Sequence, residues 1–163
     1  MDVKIAVIGA GVWGKNLVRN FHQLGCLHAV CDTSSTAFQE TMAAFPKVSV
    51  CSDFNDILQD SAVDAVVIAT PAQTHFELAK QALLHNKDVF VEKPLALNAY
   101  EGEVLAKLAH EQNRILMVGH LLQYHPAVVV LKQLVNNGSL GKLRYISSSR
   151  LSSRRALQEG GVL

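Results

Sequence analysis

The chain is poor in the residues that build staples and metal sites. Cys26, Cys31 and Cys51 are its only cysteines, an odd number without C-x-x-C spacing. This argues against a disulfide framework and a zinc ribbon, and the three read as reduced thiols of a cytoplasmic protein. Seven histidines are scattered with no H-x-x-x-H or H-E-x-x-H pair, so no metal centre is expected. Fifteen Lys and Arg against fourteen Asp and Glu leave a formal net charge of +1. No field of one sign points to nucleic acid, and no basic run is interleaved with aromatics. No apolar run approaches the ~20 residues that a membrane helix needs. The first apolar run passes directly into glycine, which does not fit a signal peptide.

What is present is a core: 49% of the 163 residues are hydrophobic and 18% charged, a balance that suits one ordinary folded domain. Val3 to Ile8 is short, β-branched and bounded by glycine, and reads as a buried parallel strand. Gly9, Gly11 and Gly14 then form G-x-G-x-x-G ahead of a helix whose expected apolar face is Trp13, Leu17, Phe21 and Leu24. Gly9 would allow a tight turn, Gly11 would let the backbone approach a pyrophosphate, and Gly14 would let the helix pack close to the strand. The helix N-terminus would offer N–H groups to the phosphates. A second strand, Leu27 to Cys31, ends in Asp32, eighteen residues after Gly14. An acidic side chain there accepts hydrogen bonds from ribose hydroxyls and repels a 2′-phosphate, so NAD is favoured. The small Thr33, Ser34 and Ser35 leave room for NADP as well.

The β-α alternation continues. A helix is expected from Ser34 to Phe45, with Phe38, Met42 and Phe45 on its face and Pro46 at its end. Val48 to Cys51 reads as a strand and Phe54 to Leu58 as a short helix. Val63 to Ala69 reads as a central strand stopped by Thr70-Pro71. Thr74 and Glu77 have capping-box spacing before a helix bearing Phe76, Ala79, Leu83 and Leu84. Strand Asp88 to Val91 runs into Glu92-Lys93-Pro94. Asn98 and Glu101 repeat the cap spacing before a helix bearing Val104, Leu105 and Leu108, and Ile115 to Val118 forms a sixth strand closing at Gly119-His120. The pattern implies a Rossmann-type, doubly wound parallel sheet with helices on both faces and its ligand at the carboxyl ends of the strands.

Residues 1–120 thus read as a dinucleotide-binding domain, and 121–163 differ in character. Pro126 to Val135 reads as a helix with Pro126 in its first turn, and Lys142 to Leu151 alternates like one strand. A single strand needs partners, so this segment reads as the start of an α+β second domain for substrate and oligomerisation, incomplete at Leu163. The strand is expected to be disordered, swapped or paired with another copy.

The glycine turn, Ala69-Thr-Pro71 with Thr74-His75, Glu92-Lys93-Pro94 and Val118-Gly-His120 together resemble the Gfo/Idh/MocA oxidoreductases. Within that family, Gly-Val-Trp-Gly-Lys-Asn16 and Gly119-His-Leu-Leu-Gln-Tyr124-His-Pro126 look like the branch that oxidises nucleotide-linked sugars at C3, the UDP-N-acetylglucosamine and UDP-N-acetylglucosaminuronate 3-dehydrogenases. The resemblance implies hydride transfer between NAD and a sugar hydroxyl, in a homo-oligomer. Lys93 would sit beside the nicotinamide and bind the reacting hydroxyl, sharing in the proton transfer where burial assists it. The Lys93–Pro94 peptide would be cis. His120 and Tyr124 either reach the sugar or serve as an interdomain histidine and a packing tyrosine. Glu92 either bonds backbone near the nicotinamide or holds Lys93. Thr70 and Pro71 would wall the dinucleotide beside Val12 and Trp13 of the glycine turn, His75 reads as a helix-start residue that also belongs to the cofactor set, and the Trp13 side chain reads as packing more than stacking. Arg150, Arg154 and Arg155 read as a solvated basic face. In the family a glycine pair like Gly160-Gly161 precedes an Asp-x-x-x-His motif whose histidine is the acid–base group, and these 163 residues do not contain that motif. The alternative function is therefore a module that holds NAD without turnover.

Overall fold

A computed structural model describes residues 3–149, and the chain divides into two units, Met1–His120 and Leu121–Leu163. The first unit alternates strand and helix: β1 (Ile5–Ile8), α1 (Gly14–Gln23), β2 (Leu27–Cys31), α2 (Ser35–Ala44), β3 (Ser49–Cys51) and α3 (Phe54–Gln59) come first. They are followed by β4 (Ala65–Ile68), α4 (His75–Leu84), β5 (Asp88–Val91), α5 (Ala99–Glu111) and β6 (Leu116–Val118). The six strands form one parallel sheet in the order β3-β2-β1-β4-β5-β6. The chain winds outward from β1 to β3, returns to β4 and winds outward the other way, so the direction reverses between β1 and β4, where ligands collect in such sheets.

Register carries this topology into chemistry. Ile8 pairs with Cys31 and with Ile68, Ile68 with Val91, and Val91 with Val118. The residues that follow (Gly9, Asp32, Ala69, Glu92 and Gly119) therefore emerge in one row along the carboxyl edge. Backbone bonds extend the ladder through that row, from Gly9 N–H to Cys31 O and from Ala69 N–H to Ile8 O, each 2.8 Å. Glu92 N–H to Ile68 O (2.9 Å) and Gly119 N–H to Val91 O (2.8 Å) complete it.

Both sheet faces are buried, as continuous Val/Ile runs require. Ala6, Ile8, Val66, Ile68, Val89 and Val91 pack with Ile57 and Leu58 of α3, Ala79, Ala82 and Leu83 of α4, and Leu105 and Ala109 of α5. Val7, Val30 and Val67 pack on the other face with Val18 of α1 and Ala37 of α2.

Several expected faces are rotated. Met42 is exposed, and α2 buries Ala37 and Thr41 instead. The hydroxyl of Thr41 donates to Ala37 O at 2.8 Å, which satisfies it inside the helix. In α1 the buried side chain is Val18, with the expected Leu17 and Phe21 packed against the same core, and Leu24 is exposed at the helix C-cap. The expected Thr74–Glu77 capping box does not form. A 3-10 turn, Ala72–Thr74, precedes α4, and the Thr74 hydroxyl turns back to donate to Pro71 O at 2.8 Å. The Asn98 cap does form: its Oδ1 accepts from Glu101 N–H at 2.9 Å.

The second unit holds a 3-10 turn, Leu121–Tyr124, and α6 (Pro126–Asn136), started by His125, whose Nδ1 accepts from Ala127 N–H at 3.2 Å. The strand expected from Lys142 to Leu151 is not formed over 142–149, where no described residue pairs with it; its last two residues, with Arg154, Arg155 and Gly160-Gly161, lie outside the described residues. Among the described residues no helix is long and apolar enough to cross a membrane.

Candidate dinucleotide site

The glycine turn connects β1 to α1. Gly9 has φ +90°, a backbone region that side chains other than glycine rarely adopt. A Cβ on Gly14 would lie 2.0 Å from Gly9 O, so only glycine lets the helix start this close to the strand end. A Cβ on Gly11 would meet nothing within 4 Å. The turn is thus open at Gly11 and closed behind it. Among the described residues the backbone N–H groups of Gly11, Val12 and Trp13 have no acceptor, whereas those of Lys15 and Asn16 are used by Gly11 O and Trp13 O, both at 3.0 Å. Successive free N–H groups at the positive end of a helix form a cradle for an anion. The donor set fits a pyrophosphate.

Asp32 stands beside this cradle. Its Oδ2 accepts from Ala10 N–H at 2.6 Å and its Oδ1 from Ser34 N–H at 2.7 Å. The carboxylate therefore ties the glycine turn to the end of β2. A carboxylate has about four lone-pair sites, so two remain for ribose hydroxyls.

The wall across the switch point is built from Thr70, Pro71 and Thr74. The Thr70 and Thr74 hydroxyls are 2.7 Å apart, and Pro71 O accepts from Thr74 N–H at 2.9 Å. His75, the first residue of α4, is 1% exposed. Its Nε2 lies 2.8 Å from Thr70 O and its Nδ1 2.7 Å from Pro94 O. A neutral ring carries one N–H and satisfies one carbonyl at a time, whereas the imidazolium satisfies both. Both ring nitrogens face protein carbonyls, so His75 braces the wall from behind.

At the end of β5, Glu92 is buried, and its Oε2 accepts from Lys93 N–H at 3.3 Å. The Lys93–Pro94 peptide is cis. Lys93 itself is exposed, and its ammonium has no partner among the described residues. The burial invoked for proton transfer is therefore not supplied by residues 3–149.

Trp13 departs furthest from expectation. It sits at the N-cap of α1, half exposed, off the core-facing stripe. Its indole N–H donates to Glu92 Oε1 at 2.6 Å. Val12 is exposed beside it. His120 is exposed next to Gly119 at the end of β6, and its N–H bonds Val118 O at 2.7 Å. Tyr124 is exposed on the 3-10 turn of the second unit. Two residues of the site escape sequence reasoning. Ala10 contributes only a backbone N–H, which no side-chain pattern reveals. Gly119 leaves space that a Cβ would fill 3.1 Å from Glu92 Oε2; its glycine identity, following a strand, was the one available signal.

Residues 3–120 match the family model described as "Oxidoreductase family, NAD-binding Rossmann fold", GFO_IDH_MocA. The chain belongs to this family. It is 31% identical over 157 residues to the UDP-N-acetylglucosamine 3-dehydrogenase of Acidithiobacillus ferrooxidans, covering 93% of the chain and 46% of that protein. Among solved structures it is similar to scyllo-inositol dehydrogenase from Lactobacillus casei with bound NAD(H) and scyllo-inositol (TM-score 0.81, 25% identity, 87% of this chain, 43% of that one). It is equally similar to the WlbA dehydrogenase from Bordetella pertussis in complex with NADH and UDP-GlcNAcA (TM-score 0.81, 26% identity, 87% and 44%). The chain spans less than half the length of each of these relatives. Nucleotide-sugar and inositol dehydrogenases lie at comparable distance, so no single branch stands out.

Proposed function

We propose that this chain is the cofactor-binding part of an NAD-dependent oxidoreductase that moves a hydride between nicotinamide and a sugar hydroxyl, at C3 of a nucleotide-linked sugar. The observation that supports the reading is the row Gly9, Asp32, Ala69, Glu92 and Gly119, which brings the glycine turn and the residue before Lys93 to one edge of the sheet. The N–H groups of Gly11, Val12, Trp13 and Gly14 hold the pyrophosphate, and Asp32 takes the ribose hydroxyls. Thr70 and Pro71 wall the cleft, braced by His75. When bound, NAD supplies the hydride acceptor. Lys93 donates a hydrogen bond from Nζ to the reacting hydroxyl and orients it, while Glu92 and His75 fix the backbone on either side of Lys93. His120 and Tyr124 are assigned to the sugar. Removal of the hydroxyl proton falls to the Asp-x-x-x-His histidine of the family pattern. The nucleotide-sugar assignment rests on Gly11 to Asn16 and Gly119 to Pro126, and the working enzyme is assigned to the cytoplasm as a homo-oligomer.

A second reading, a domain that holds NAD without turnover, is favoured by the exposure of Lys93, whose ammonium no described residue holds. The test is calorimetric titration of this chain with NADH and NADPH, followed by NAD⁺ reduction with UDP-N-acetylglucosamine, UDP-N-acetylglucosaminuronate and scyllo-inositol by a protein that carries this chain together with the Asp-x-x-x-His motif, with Lys93→Met as control. Reduction by a UDP-sugar that the mutation abolishes, with NADH affinity kept, supports the main reading. Reduction by the inositol alone overturns the substrate class. NADH binding with no reduction leaves the second reading.

A further inference from the structure

Trp13 is the only tryptophan of the chain, and it faces two ways. Its backbone N–H is one of the free donors of the phosphate cradle, among the described residues. Its indole N–H ends 2.6 Å from Glu92 Oε1, across the cleft from α1 to β5. The other oxygen of the same carboxylate accepts the N–H of Lys93 at 3.3 Å. The carboxylate has little freedom to choose another pose. Glu92 is buried, and beside it Gly119 is close, since a Cβ there would lie 3.1 Å from Oε2 and 3.2 Å from both Glu92 Cδ and Phe90 Cζ and press on the carboxylate. Three elements, the start of α1 and the ends of β5 and β6, thus converge on one carboxylate.

We propose that Trp13 is a positioning residue that links phosphate occupancy of the glycine turn to the setting of Lys93, through Glu92. This rests on the dinucleotide reading above. A phosphate bonded to the Trp13 N–H fixes the backbone that carries the indole. The indole fixes the carboxylate, and the carboxylate fixes the backbone N–H of the residue that bears the ammonium. Phenylalanine at position 13 keeps the aromatic bulk and the backbone donor but cuts the link at the indole nitrogen. Glutamine at 92 cuts it as well, because an amide has one acceptor oxygen where the carboxylate uses two.

The experiment reads Lys93 directly. The intact 163-residue chain is acylated briefly with an N-hydroxysuccinimide acetate, with and without saturating ADP, and labelling of Lys93 is quantified by mass spectrometry against exposed Lys47. ADP fills the phosphate cradle and lacks the nicotinamide end, so it cannot shield Lys93 itself. In the wild type ADP is expected to change Lys93 labelling by about fivefold, the lower range of coupling between two sites. In Trp13→Phe and in Glu92→Gln, each shown folded by circular dichroism, ADP still binds and the change disappears. The same change in both variants as in the wild type overturns the link, as does an unchanged Lys93 in a wild type that binds ADP. Failure of the folded wild type to bind ADP overturns the dinucleotide reading and this proposal together.

Discussion

Nδ1 of His75 lies 2.7 Å from the carbonyl oxygen of Pro94. With Thr70 O 2.8 Å from Nε2, one buried ring joins the loop after β4 to the loop after β5. The first holds the cleft wall and the second holds Lys93. His75→Phe leaves both carbonyls without this donor, and a part-buried acceptor left unpaired costs about 1–3 kcal/mol. Urea unfolding is expected to show a loss of that size for His75→Phe and a smaller one for His75→Gln, whose amide still donates to one carbonyl. Equal stability of His75→Phe and wild type would mean that water replaces the ring at both carbonyls.

Gly11 and Gly14 separate binding from folding. A Cβ at Gly11 projects into open space, whereas one at Gly14 meets Gly9 O at 2.0 Å. Gly11→Ala is expected to change stability by less than about 0.5 kcal/mol, as for surface substitutions, while the added methyl weakens NADH binding by about tenfold, worth ~1.4 kcal/mol. Gly14→Ala is expected to lose about 1–3 kcal/mol of stability through overpacking. Thermal unfolding and calorimetric titration of the two variants side by side check this. A Gly11→Ala chain that binds NADH like the wild type would place the pyrophosphate elsewhere.

Asp32 ties the glycine turn to β2 and carries the charge on which the proposed preference for NAD rests, and substitutions separate the two. The carboxylate accepts from Ala10 N–H and Ser34 N–H and bears the charge that repels a 2′-phosphate. Asp32→Asn keeps one acceptor oxygen and removes the charge, so the ratio of NADPH to NADH affinity should rise. Asp32→Ala releases the glycine turn as well, and both affinities should fall. Parallel titrations with the two dinucleotides read both effects. An unchanged ratio in Asp32→Asn would remove Asp32 from cofactor selection.

The strands of the first unit were legible because β-branched runs ending at glycine or proline have few other uses, and β5 was placed residue for residue. Once their order is known, register alone aligns Gly9, Asp32, Ala69, Glu92 and Gly119. Trp13 was misplaced for a physical reason: periodicity gives a helix face but not the first residue that obeys it, and Trp13 is the cap before that residue. The face of α2 slipped for another reason. A buried threonine that bonds its own helix counts as apolar there, and a hydropathy pattern does not see it. The strand expected from Lys142 was read from alternation, which shows fitness for a sheet but supplies no partner.

At the opposite, amino end of the sheet, two titrating groups should make stability rise with pH in two separate windows. Asp60 Oδ1 accepts from Ala62 N–H at 2.8 Å and its Oδ2 lies 3.1 Å from His28 Nε2. The Ala62 N–H first, then His28, hold this carboxyl below its ordinary 3.8. The unfolded chain therefore binds the proton first as pH falls, so the contribution is complete above the ordinary carboxylate range and is lost as pH drops through the folded value. Lys87 is buried, its ammonium donating to Asp60 O at 2.6 Å and Val63 O at 2.7 Å. Burial first pushes it below its ordinary 10.5, against the pull of Asp60 and Asp64. Here too the unfolded chain binds more protons between the folded value and 10.5, so stability again rises with pH across that interval. Urea unfolding from acid to alkaline pH should show the acid rise flattened in Asp60→Asn and the alkaline rise flattened in Lys87→Met, each substitution also shifting the other window because the two charges attract. A stability that falls between Lys87's folded value and 10.5 in the wild type, relative to Lys87→Met, would reverse the assigned direction for the buried ammonium.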